Sequence, residues 1–382
     1  MSEMESGRVP RGEGSDPSVA ARGYQPAFNG LRAIAVSLVW LCHLKVKGFA
    51  NGAIGVDIFF VLSGYLITGV LAGEYSRHGR IDLRNFYMRR VLRLTPALWL
   101  LFAVALCWYV VDRHIRPGLL GALAFSASYL MNWNRIFGWG GEAFLGHTWS
   151  LSIEEQFYLF LPAALLLLPR RYWLPAALIG ASASAAWLTS LAYGGTGIHR
   201  IYNGLDCRMV GLLLGAACAL LGEPVRARLS TYLPAAGTVA VAGISLLLFF
   251  STMQQPKAFA FFTVIATLMA AVVILAIDGG WCSRVLSTEP LVRLGRYSYG
   301  VYLWHYPLIA AVNFYHLSEA WLIGTIPATL AVSALSFHIL EQPILRLKSR
   351  FEARSSFIPE HRAPSIEGVA TLPPDAVVVG SI

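Results

Sequence analysis

Charge is scarce in this chain. Of its 382 residues only 13% are Asp, Glu, Lys or Arg, while 56% are hydrophobic and the mean hydropathy is +0.57. A water-soluble protein of that length needs far more polar surface, because much of a globular exterior must be wetted; a large soluble enzyme is excluded. Cysteine is sparse as well. Cys42, Cys107, Cys207, Cys218 and Cys282 form no Cys-x-x-Cys pair and fall mostly in apolar runs, where the thiol behaves as a small hydrophobe, so neither a disulfide framework nor a metal site is expected. The polar, Gly/Ser/Pro-rich start lacks the apolar core of a cleavable signal peptide, which leaves the first span to direct insertion. There is no internal repeat and no inverted pair of broken helices, which weighs against a transporter built on repeats. Nor does the net charge of +9 indicate nucleic-acid binding, since the basic residues sit largely in short loops where they set membrane orientation.

Long apolar runs recur from Phe28 to Leu340. They predict an all-α, polytopic membrane helix bundle of about ten transmembrane helices, with the N- and C-termini cytoplasmic. Residues 26–347 form the membrane domain, between disordered cytoplasmic segments at 1–25 and 348–382. Orientation follows from arginine: Arg77 to Arg93, Arg170, Arg171, Arg226 and Arg228 all fall inside if Leu119 to Met131 re-enters rather than crosses. The inner (plasma) membrane is the expected location. That topology puts one long loop, Asp112 to Trp149, outside. Its tip, Asn132-Trp-Asn-Arg-Ile-Phe-Gly-Trp-Gly-Gly, suits stacking on a sugar and also, with slightly more weight, an aromatic belt at the membrane interface.

The stretch Asn29 to His43 organises the chemistry. Eleven helical steps of roughly 100° bring His43 back to within about 20° of Arg32, roughly 16 Å along the axis. Ionisable groups in an apolar helix usually face a protein interior or a wet cavity, so the pair predicts a site; an interfacial arginine and a satisfied core histidine are the competing reading. Arg90 and Arg93, three apart, suit bidentate binding of phosphates such as those of coenzyme A, although retention of positive charge inside is the stronger reading on spacing alone. In His147-Thr-Trp149-Ser-Leu-Ser-Ile-Glu154-Glu155-Gln156-Phe-Tyr158 the adjacent carboxylates point about 100° apart, and Glu154, with Tyr158 one turn on, is the better candidate to face a cavity. Asp206 and Arg208 read as an internal ion pair, and His305 and Glu341 as structural. Asp57 and Ser63 lie roughly 120° apart on one helix, so no Ser-His-Asp triad is supported.

Taken together, Arg32 and His43, Phe59-Phe-Val-Leu-Ser-Gly64-Tyr, Arg90 and Arg93, Trp149 to Tyr158, Ser298-Tyr-Gly-Val-Tyr302 and Glu341-Gln-Pro343 resemble, in content and order, the acyltransferase-3 family of integral membrane acyltransferases. The resemblance implies an acyl-CoA donor, usually acetyl-CoA, and a hydroxyl acceptor on a carbohydrate: surface polysaccharide, lipopolysaccharide or glycolipid, with a small-molecule glycoside or macrolide as the alternative. It also implies functional roles for Arg32, His43 and Glu154 and for Arg90 and Arg93 at the coenzyme. His147, Trp149, Tyr158 and Arg208 are expected at the acceptor, although Val210 stands where similar proteins often have an acidic residue. Many relatives carry a further C-terminal esterase-like domain; here the activity is expected to be completed by the membrane domain or by a separate partner. No metal is expected. In this scheme His43 is the general base, Glu154 orients the imidazole or the acceptor, and Arg32 polarises the carbonyl or holds coenzyme, with donor and acceptor arriving from opposite faces. An acyl-His43 intermediate, a lipophilic cytoplasmic acceptor, a transporter of an anionic or acylated substrate and a membrane scaffold are the alternatives.

Overall fold

In lipid a backbone can satisfy its own polar groups only as a helix or a closed barrel, and long apolar runs choose the helix. The computed structural model describes residues 25–346 except 116, 251–254 and the side chain at 143; the expected disordered segments lie outside the described residues, apart from Gln25. Every regular element among the described residues is helical. Local signals set the boundaries of the first three. Helix α1 (Pro26–His43) begins on a proline, whose missing N–H is not needed there. Helix α2 (Ile54–His78) ends at Gly79, whose φ of 65° is the left-handed conformation that glycine adopts without strain. At the start of α3 (Leu83–Val111) the Asp82 carboxylate accepts from the Asn85 N–H at 3.0 Å.

The outer-loop region then folds as two short helices, α4 (Leu119–Ala127) and α5 (Met131–Phe137), before α6 (Trp149–Leu167). With nine residues α4 rises only about 14 Å, too little to cross an apolar layer of about 30 Å, in keeping with a re-entrant or interfacial segment. There follow α7 (Trp173–Tyr193), α8 (Ile198–Asn203), α9 (Leu205–Leu220), α10 (Glu223–Ser230), α11 (Leu233–Leu247) and α12 (Pro256–Ala276). Two short connectors, α13 (Gly280–Leu286) and α14 (Glu289–Arg296), lead to α15 (Ser298–Phe314) and α16 (Glu319–Ser336). A π-helical turn at Phe337–Glu341 joins α16 to α17 (Gln342–Arg346).

Among the described residues six helices or continuous helix runs are long and apolar enough to cross a membrane, and the α10–α11 pair, bent by 77°, makes a seventh if it counts as one span. Of the other expected spans, α1 carries Arg32 and His43, α6 carries Glu154 and Glu155, and α15 has 17 residues. Large apolar side chains such as Val111, Leu167, Phe249 and Ile339 stand more than 70% exposed, which suits contact with lipid and not with water. The protein is a multi-pass membrane protein. At its centre α2 packs so closely on α9 that a Cβ at Gly64 would collide with the Leu212 carbonyl and one at Gly215 with the Val61 carbonyl. Helix α1 packs against α2, α13, α14 and α15, and its Arg32 is partly buried.

Candidate active site

Arg32 of α1, Ser63 of α2, Arg90 and Arg93 of α3, and Glu154 and Tyr158 of α6 line one cavity of about 110 Å³. That is room for several water molecules or a small acyl group. The six come together because each occupies the inward face of its own helix. Arg90 and Arg93 are neighbours across one turn, and Glu154 and Tyr158 likewise. The Ser63 hydroxyl donates to Glu154 Oε1 at 2.6 Å, joining α2 to α6. Arg90 Nη2 donates to Glu155 Oε1 at 2.7 Å, and its guanidinium lies 3.5 Å from the centre of the Tyr158 ring. The adjacent carboxylates therefore divide their tasks: Glu154 lines the cavity and Glu155 holds Arg90 in place. Arg32 Nη1 donates to Asn29 Oδ1 at 3.3 Å, one turn back on its own helix. Three guanidiniums thus face one lining carboxylate, with a second carboxylate behind Arg90. Such a lining favours an anion with several oxygens, which guanidinium forks bind in bidentate fashion.

His43 lies elsewhere. One helix carries both Arg32 and His43, but roughly 16 Å of axial rise separates them, and His43 stands at the far end of α1 in a cluster of rings. His305 Nε2 is 3.1 Å from His43 Nδ1, and the Tyr306 ring is edge-on to His43 at 5.2 Å between centres. The His147 ring, 3% exposed, stacks on Tyr306 at 4.9 Å. Glu154, expected to orient the His43 imidazole or the acceptor, accepts from Ser63 in the cavity, and the residue hydrogen-bonded to His43 is His305. The cause is the offset along α1, which places Glu154 level with Arg32. Sequence reading assigned His305 a structural role. The available signal was its place as a second isolated histidine in an apolar, aromatic-rich helix.

Tyr302 stands between the two sites. It lines the arginine cavity, while its ring lies 5.6 Å from His305 and 5.5 Å from His147. Its hydroxyl donates to the His147 carbonyl at 2.7 Å, so the 2.6 Å contact with Ser150 is a bond that Ser150 donates. Both partners fix the ring between the cavity and the histidines.

Of the four residues expected at the acceptor only Tyr158 lines the cavity; His147 belongs to the ring cluster, and Trp149 and Arg208 lie outside as well. Arg208, 2% exposed, pairs with Asp57 Oδ1 at 2.8 Å and not with Asp206. Around its guanidinium stand Phe60, Trp149, Tyr202 and Phe259, all within 5.7 Å between centres. Trp149 is thus a wall of that cage, and the space beside Arg208 amounts to only about 10 Å³. Asp206 is instead gripped by Nη1 and Nη2 of Arg200, at 2.9 and 2.5 Å. The outer loop's amides are spoken for as well: Asn132 accepts from Gln156 at 3.0 Å and Asn134 accepts from the Gly140 N–H at 2.7 Å. Trp133, Phe137 and Trp139 stack on one another with Phe137 and Trp139 more than half exposed, an arrangement fit for the membrane interface. At the end of α3, Asp112 accepts from the Tyr315 hydroxyl and from the His114 N–H at 2.8 Å; the Tyr315 bond first, then those from His114, hold its carboxyl down to about 2.

The profile of an acyltransferase domain matches residues 25–339, a stretch that takes in the arginine cavity and all three clustered histidines. The chain belongs to the acyltransferase-3 family. It is 36% identical over 349 residues to the peptidoglycan O-acetyltransferase OatA of Listeria monocytogenes, covering 85% of this chain and 56% of that protein. It is 33% identical over 366 residues to the putative peptidoglycan O-acetyltransferase YrhL of Bacillus subtilis (88% and 57%), and 32% identical over 390 residues to the O-acetyltransferase OatA of Staphylococcus aureus (93% and 63%). The chain therefore spans less than two thirds of the length of these relatives. No solved structure matches it. In this acyltransferase-3 chain the Arg32, Arg90, Arg93 and Glu154 positions converge, whereas His43 stands apart beside His305, which Tyr302 of the cavity wall touches.

Proposed function

We propose that this chain moves an acetyl group from cytoplasmic acetyl-CoA to a hydroxyl of a cell-wall glycan of the peptidoglycan class. The observation that carries the reading is the cavity in which Arg32, Arg90 and Arg93 face Glu154. The peptidoglycan O-acetyltransferases among the relatives suggest the glycan, a carbohydrate but not one of the polysaccharide classes expected from sequence. Arg90 and Arg93 hold the phosphates of the coenzyme. Its pantetheine arm follows α1 past Arg32 and Tyr302 and delivers the thioester to the histidine end.

There His43 Nε2 takes the proton of the acceptor hydroxyl, and the oxygen attacks the thioester carbonyl carbon. The C–O bond forms, the C–S bond breaks, and the departing thiolate takes the proton back from His43. A base of this kind contributes about 10²- to 10⁴-fold in rate. Arg32 and Glu154 keep the thioester arm in register. An O-acyl ester on the glycan and free coenzyme are the products.

Two measurements test the reading together. Purified protein given acetyl-CoA and glycan fragments should release free thiol in step with ester formed on the glycan. Wall glycan from cells lacking the protein should lose base-labile acetyl groups. Thiol release without glycan ester would show a different acceptor, and no thiol release at all would leave a transporter as the better account.

A further inference from the structure

His305 is wholly buried, and its two ring nitrogens have different partners. Nδ1 lies 3.0 Å from the carbonyl oxygen of Val301, one turn back on α15. A carbonyl can only accept, so Nδ1 carries the hydrogen, and in a neutral imidazole Nε2 is then a bare lone pair. That lone pair faces His43 Nδ1 at 3.1 Å. It can only accept, so His43 must carry its own hydrogen on Nδ1. The remaining nitrogen of His43, Nε2, then carries no hydrogen, on a ring that is only partly buried.

We infer that His305 is a positioning residue: through the chain His43 Nδ1–H to His305 Nε2, and His305 Nδ1–H to the Val301 carbonyl, it fixes His43 in the tautomer whose Nε2 is the base. The inference rests on the proposed role of His43. In hydrolases a carboxylate does this work from the same side of the ring, holding tautomer and orientation. Here the groups around the pair are His147 from the segment before α6, Tyr302 and Tyr306 from α15, and the Arg135–Glu142 ion pair at 3.1 Å on the outer loop. No carboxylate is hydrogen-bonded to either imidazole among the described residues. The orienting group is itself a neutral ring, so the base is aligned without a negative charge being buried beside it. When His43 accepts a proton on Nε2, its Nδ1–H bond to His305 strengthens, because the donor is then charged.

The test reads the tautomer and the rate separately. In protein labelled with ¹⁵N-histidine, at neutral pH, His43 of the wild type should show a protonated Nδ1 and a bare Nε2, assigned by loss of the signals in His43→Ala. Replacing His305 by Phe keeps ring volume and removes the acceptor. That variant should show mixed His43 tautomers and a kcat lower by about 10²-fold, with both KM values unchanged. His305→Gln puts an amide oxygen near the Nε2 position and should recover most of the rate and the single tautomer. A wild-type His43 with its hydrogen on Nε2, or a His305→Phe variant with wild-type kcat beside an inactive His43→Ala, would overturn the positioning role alone. Full activity of His43→Ala would remove the base reading itself, and the inference with it.

Discussion

Arg208 Nη2 stands 2.8 Å from Asp57 Oδ1 between α9 and α2, where both side chains are almost wholly removed from solvent. Two charges in such a place are held by each other, by the Thr263 hydroxyl at 3.3 Å and by the surrounding rings. Removing one leaves the other without compensation, a loss of about 3 to 5 kcal/mol in buried pairs. Arg208→Met should therefore lower the unfolding temperature in detergent sharply. Adding Asp57→Leu to it should restore much of the loss, since an apolar pair of similar volume is often neutral. The measurement is thermal unfolding followed by monodispersity; an Arg208→Met protein as stable as wild type would show that the pair does not hold α2 to α9. Because neither residue lines the arginine cavity, the double variant should keep its KM for acyl-CoA.

His43→Ala should lose transfer by about 10²- to 10⁴-fold while the protein inserts and purifies normally, because the base acts in the transition state and contributes little to packing. Rate and elution profile in one detergent preparation check this. Wild-type turnover would take His43 out of the mechanism.

Arg93→Lys keeps the charge and the topology but exchanges a planar five-donor fork for a point charge. The KM for acyl-CoA should rise, with the acceptor's KM little changed. Loss of a charged hydrogen bond of about 1.5 to 3 kcal/mol corresponds to roughly 10- to 150-fold, and the retained ammonium places the result near the low end. Arg93→Gln should be worse. With acyl-pantetheine, which lacks the nucleotide phosphates, the difference should nearly vanish; equal losses with both donors would end the phosphate-binding assignment.

Asp112 joins the end of α3 to the end of α15 through Tyr315, whose hydroxyl also accepts from Trp108 Nε1 at 2.9 Å. Its carboxyl is held at about 2 in the folded protein, below the roughly 3.9 of an unfolded aspartate. A depressed value means a stabilising contribution that is fully present above about pH 4 and lost as pH falls through about 2. Asp112→Asn, which mimics the neutral carboxyl, should unfold at a lower temperature than wild type at pH 6. The gap should close between about pH 4 and pH 2. A gap that persists unchanged across that window would assign the contact to shape and not to charge.

Sequence alone determined the class of the molecule. Apolar runs interrupted by arginine-bearing loops leave a helical membrane bundle as the available structure, because lipid offers no partner to an unpaired backbone group. Helical spacing also decided which residues of one helix share a face: Arg90 with Arg93, Glu154 with Tyr158, and Asp57 apart from Ser63. Which faces meet was beyond it. Arg208 was read with Asp206, two residues away, yet it pairs with Asp57 on another helix, and Arg200 takes Asp206. His43 and Arg32 share a face of α1 but serve different surroundings, since a helix reaches only what packs at the same depth. His305 could not be matched to His43 from spacing, because 262 residues separate them in the chain. Periodicity acts within one helix, whereas partners are chosen by crossing angle and depth, and those are settled only when close contacts such as that of Gly64 with Leu212 set one helix against the next.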